Sequence, residues 1–123
     1  MIPAQPTHPS KLSRQSAQTF LDLLNALRCV DPEFPLQYAI CLTEIAMNEG
    51  LSLTQLADRT HLALSTVSRI VGALSTVRQS GEAYGLVMIK ISPKERRRKE
   101  LSLTPKGWAV IHNVLGPLDL VIG

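Results

Sequence analysis

The residues with most chemistry to offer lie in one short run. Lys94, Arg96, Arg97, Arg98 and Lys99 place five cations in six positions, offset only by Glu95 and Glu100. Cations this dense repel one another unless a polyanion faces them. A phosphate backbone does so favourably, because each neutralised phosphate releases condensed counterions. An arginine at the tip of such a run can also enter a narrow minor groove, where negative potential is concentrated. The plainer alternative is a solvated charge run.

A second set lies upstream, in LSTVSRIVGALSTV. At helical spacing Val67, Ile70, Val71 and Leu74 share one face, and Ser65, Ser68, Arg69 and Gly72 the other. Ser65, Thr66, Ser68 and Gly72 are small enough to let a helix axis approach base edges. Arg69 can pair bidentately with guanine or grip a phosphate. Catalytic patterns are absent: there is no Gly-rich phosphate loop, no metal-ligand cluster and no nucleophile beside a base. His8, His61 and His112 are scattered. The expectation is a protein that is not an enzyme and uses no metal or cofactor.

The elements that must position these groups follow from periodicity and punctuation. Pro3, Pro6 and Pro9 make residues 1–10 a loose arm. A first amphipathic helix runs from Lys11 to about Arg28 on Ala17, Phe20, Leu21, Leu24 and Leu27, and Asp31-Pro32 breaks it. A second begins near Pro35 and stops at Gly50. Its broad face of Leu36, Ala39, Ile40, Leu42, Ile45 and Ala46 predicts a largely buried helix. Ser52 followed by Gln55 is a capping-box pattern opening a short helix from Leu53 to Thr60. A three-residue turn then leads into the helix of Ser65 and Arg69. Residues 84–91 and ELSLT predict two antiparallel strands joined by the basic loop. Thr104-Pro105 starts a final helix carrying Trp108, Ile111, Val114 and Leu115, which Gly116-Pro117 is expected to interrupt.

A short capped helix, a turn and a second helix with a small polar face form a helix-turn-helix. Followed by a hairpin with a basic tip, it becomes a winged helix. The expected fold is mainly α with a small antiparallel β-hairpin, in one domain over residues 11–123 whose terminal helices serve dimerisation. A hydrophobic share of 45% against 19% charged residues suits a folded chain, and aromatics at 4% leave the core to aliphatic side chains. The net charge of +3 points weakly to acidic partners. No membrane span or leader pattern is visible, so a cytoplasmic protein is expected. Cys29 and Cys41 are read as inert thiols, with a redox pair as the sharper alternative.

The segment from Phe34 to Val114 resembles the MarR family of bacterial regulators. The matching strings are SLTQLADRT, STVSRIVGAL and, most specifically, SPKERRRKELSLTPKG, which is similar to the family's wing pattern ending in Leu-Thr-x-x-Gly. The resemblance implies a winged-helix transcriptional regulator. It places Ser65, Thr66, Ser68 and Arg69 at base- and phosphate-facing positions, and Arg97 or Arg96 in the minor groove. The chain departs from the pattern at Ser92, where the family has Asp, at Ala63, where Ser or Thr caps the recognition helix, and at His61, which replaces a turn glycine. Family members continue with two further helices that build the dimer, whereas 16 residues follow Gly107 here. A smaller or rearranged homodimer contact is therefore expected, made by the first helix and VLGPLDLVIG. The family's site for a small aromatic anion is not expected to persist. The reading is a dimeric repressor binding double-stranded DNA; the rival is a winged helix that engages an acidic protein.

Overall fold

The computed structural model describes residues 13–75, 84–95 and 98–122. Among them, five helices and one two-stranded sheet follow one another as α1 (Arg14–Val30), α2 (Leu36–Met47), α3 (Leu53–Thr60), α4 (Leu64–Leu74), β1 (Val87–Ile91), β2 (Lys99–Leu103) and α5 (Pro105–Ile122). The expected loose arm of residues 1–10 lies outside the described residues. None of the described helices is long and apolar enough to cross a membrane.

Helices α2, α3 and α4 pack on one another and on β2. Their core consists of Cys41, Leu42 and Ile45 from α2, Leu56 and Ala57 from α3, and Val67, Ile70, Val71 and Leu74 from α4, closed below by Leu86, Leu101 and Leu103. The inward face expected of α4 is thus the buried one. Two expectations for the helices need correction. Helix α2 is not largely buried: Leu36 is 75% exposed and Ile40 43%, because α3, α4 and β2 cover only the side carrying Cys41, Leu42 and Ile45. Helix α5 is not interrupted at Gly116-Pro117 but continues to Ile122 with Pro117 inside it. A proline deletes one backbone hydrogen bond, yet its φ is that of a helix, so the flanking turns can carry the chain through.

Strands β1 and β2 are antiparallel, with Val87 opposite Leu103, Ile89 opposite Leu101 and Ile91 opposite Lys99. The ladder is buried at its base and leaves the core towards its tip, where Ile89 and Ile91 are exposed. The other edge of β2 is also occupied. Gly50 donates to the Leu101 carbonyl at 2.7 Å, Leu101 donates to the Leu51 carbonyl at 2.9 Å, and the Glu49 carboxylate accepts from the Leu103 amide at 3.0 Å. The turn between α2 and α3 therefore anchors the hairpin to the helices. Gly50, at φ 94°, has the left-handed backbone that lets the chain reverse there.

Helix α1 starts at Arg14, three residues later than the expected Lys11, where the Ser13 side chain accepts from the Ser16 amide. It packs chiefly along α5 and leaves Phe20, Leu21 and Leu24 exposed. Its exit is held by aromatics. Phe34, Tyr38 and Tyr84 meet edge to face at centroid distances of 5.2–6.1 Å, and the Tyr84 hydroxyl donates to Asp31 at 2.6 Å. Edge-to-face pairs add to the area that they bury, so three of the scarce aromatics tie α1 to the sheet side of the domain.

Candidate nucleic-acid interface

The helix-turn-helix is built from local chemistry. Ser52 accepts from the Gln55 amide at 3.2 Å, and the Gln55 side chain accepts from the Ser52 amide at 2.8 Å, completing the capping box. Arg59 in the last turn of α3 donates to Glu44 of α2 at 2.6 Å, bridging the two helices. The reversal into α4 falls on His61 at φ 58°, a left-handed position where a glycine would carry no steric cost.

The N-cap of α4, Ala63, offers no side-chain acceptor to the first-turn amides. Ala63→Ser is therefore expected to stabilise the fold by about 1 kcal/mol. Urea unfolding monitored by circular dichroism would read this as a later midpoint at unchanged slope. An unchanged or earlier midpoint would mean that these amides already have adequate partners.

The base of the wing is closed by hydrogen bonds of its own. Ser92 is buried, and its hydroxyl oxygen accepts from the Lys94 and Glu95 amides, both at 3.3 Å, while its own amide donates to the Arg98 carbonyl at 2.8 Å. A serine thus performs the turn-closing role open to an Asp at this place. At the far end of β2, Thr104 donates to the Gly85 carbonyl at 2.7 Å and accepts from the Gly107 amide at 3.0 Å, capping α5 and holding the start of the wing together. Gly107 is required at the third position beyond: a Cβ there would overlap the backbone carbonyl of Leu86. The Leu-Thr-x-x-Gly string is thus a packing device.

Between α4 and the wing lies a groove of about 800 Å³ lined by Ser52, Leu53, Thr54, Leu64, Ser68, Glu95, Arg98 and Lys99. Of the residues singled out in the sequence, Ser68, Arg98 and Lys99 meet in this groove. Ser65 and Arg69 are exposed on α4, Thr66 is half-buried, and Lys94 is exposed on the wing. Arg96 and Arg97 lie outside the described residues. Leu64 was missed: it is 51% exposed in the groove, yet its spacing from Val67 and Val71 would assign it to the core. Gln55 was read only as a capping residue, but it also accepts from Arg98 at 3.1 Å.

Both cysteines are free thiols. Cys29 is exposed, whereas burial, with a smaller contribution from the Glu44 charge, pushes the Cys41 thiol up to about 11. The thiolate is the reactive form, so Cys41 is a core side chain.

The comparisons with known proteins agree with this architecture. Residues 42–78 match the family model of the IclR helix-turn-helix domain, and no curated protein matches the chain. The whole fold is similar to MarR, at a TM-score of 0.61 and 20% identity over 86% of this chain and 71% of that one. It is also similar to MepR of S. aureus in a DNA complex, at 0.70 and 18% over 86% and 80%. A third likeness is to the transcriptional repressor CouR bound to a 23-mer DNA duplex, at 0.62 and 24% over 86% and 68%. The chain therefore carries a helix-turn-helix domain within a winged-helix fold shared with MarR-type regulators.

Proposed function

We propose that this chain is a sequence-specific transcriptional regulator of double-stranded DNA, related to MarR and acting as a dimeric repressor. The observation that carries the reading is the groove in which Ser68 of α4 faces Arg98 and Lys99 of the wing. A helix of this kind enters the major groove with its N-terminal residues towards the bases. Ser65, Ser68 and Arg69 are the exposed polar groups available there, with Thr66 beside them. The wing cations Lys94, Arg96, Arg97, Arg98 and Lys99 then face the flanking backbone and minor groove. Leu64 adds an apolar contact suited to a thymine methyl group. That MepR and CouR, which share this fold, are found in complex with DNA supports the DNA-binding reading.

The dimer is proposed from α1, whose Phe20, Leu21 and Leu24 stand exposed beside α5. Exposed apolar side chains gathered on one helix of a small domain mark a contact surface. Two copies would place two α4 helices in successive major grooves over a pseudo-palindromic site. The protein is proposed to be cytoplasmic.

Fluorescence anisotropy of labelled mixed-sequence double-stranded DNA, titrated at several salt concentrations, tests the proposal. Affinity should fall linearly in log salt with a steep slope, and saturation should occur at an even number of chains per duplex. An absence of binding at low salt, or binding indifferent to salt, would overturn it and direct the search to an acidic protein partner.

A further inference from the structure

Gln55 has two tasks at once. Its single carbonyl oxygen closes the α3 cap on the Ser52 amide at 2.8 Å and accepts from an Arg98 guanidinium nitrogen at 3.1 Å, 43 residues away. The backbone of Arg98 is held at the same time, since its amide donates to the Glu95 carbonyl at 2.9 Å and its carbonyl accepts from Ser92 at 2.8 Å. We propose that Gln55 is a positioning residue that anchors the wing to the helix-turn-helix and aims Arg98 into the groove while leaving its charge free for a DNA phosphate. The inference rests on the DNA-binding reading given above.

The residue type carries the argument. A capping box accepts Glu as readily as Gln, and a carboxylate at this position would interact better with the helix dipole and bind the guanidinium more strongly. It would also cancel the arginine's charge at the place where the groove presents it. A neutral amide occupies one of the five guanidinium N–H donors and leaves the full positive charge on the others. Gln55 therefore suits a protein whose Arg98 must stay available to an anion. A purely structural staple would be served better by Glu.

The test compares Gln55→Glu, Gln55→Ala and Arg98→Ala, each alone and with the Gln55 changes also made in the Arg98→Ala background. The readouts are thermal melting and anisotropy titration on the same labelled DNA across salt. Gln55→Glu should melt no lower than wild type yet bind about tenfold more weakly at ~0.1 M salt, with a log–log salt slope flatter by about 0.9 per bound protomer, the value of one phosphate contact. Gln55→Ala should weaken binding while keeping the slope, because the charge survives and only its placement is lost. In the Arg98→Ala background Gln55→Ala should have no further effect on binding. Wild-type affinity and slope in Gln55→Glu, or a Gln55→Ala loss that persists undiminished without Arg98, would overturn the proposal while the DNA-binding reading stands. Failure of the wild type itself to bind DNA would overturn both.

Discussion

Replacing Arg96, Arg97 and Arg98 together by alanine is expected to lower affinity for double-stranded DNA on the order of a hundredfold at about 0.1 M salt and to flatten the log–log salt slope by about 2.7 per bound protomer. The slope follows from counterion release, in which each neutralised phosphate contributes about 0.9, so three lost contacts set the change. The fold should survive. The hairpin is held by its ladder to β2, by the Ser92 turn and by the Gly50 and Leu51 bonds on the outer edge, none of which uses an arginine side chain. The lost bond from Arg98 to Gln55 lies at an exposed position, and the capping box can close without it. Near wild-type melting with weaker, less salt-sensitive binding is therefore the expected pattern. An unchanged slope would show that the wing does not meet phosphate, leaving affinity to α4 alone.

The largest effect on stability is expected at Gly107. An added Cβ would collide with the carbonyl oxygen of Leu86 and crowd Leu103 at 3.3 Å. The Leu86 backbone cannot step aside cheaply, because its amide donates to Leu74 at 2.8 Å and its carbonyl accepts from Thr104 at 3.0 Å. Relief would have to separate α5 from the wing base or α4 from β1. Overpacking with a single methyl typically costs 1–3 kcal/mol in a deformable site, and against pinned backbone Gly107→Ala should cost about 3 kcal/mol or more. For a domain of this size that corresponds to a melting temperature lower by roughly 10–20 °C. Gly116→Ala is the control on the same helix. No atom beyond its chain neighbours lies within 4 Å of a Cβ there, and with the gain in helix propensity opposed by the ring of Pro117 next to it, the change should shift melting little. Equal effects of the two substitutions in thermal melts would contradict the close approach at Leu86.

Much of the domain is legible in local sequence. The Ser52–Gln55 spacing announces the start of α3, because a capping box is satisfied within four residues. The inward set of α4 follows from helical period alone, and Thr104-Pro105 marks the start of α5 because cap and proline act on their own first turn. The antiparallel hairpin with its basic loop is read from alternating apolar residues on either side of a charged segment. Each of these is decided by neighbours along the chain.

What tertiary structure alone decides has a common cause. Periodicity tells which side chains share a face but not which neighbour covers it, so Leu36 and Ile40 were assigned to the core and stand in solvent, while Leu64 opens onto the groove. Bonds between distant segments leave no local trace, as with Gln55 to Arg98, Tyr84 to Asp31, and the turn at Gly50 and Leu51 beside β2. Local spacing thus determined the helices, the hairpin and the polar and basic residues available to a nucleic acid. Packing of remote segments decided which of them share one groove, because hydrogen-bond geometry and close contact act through space and not along the chain.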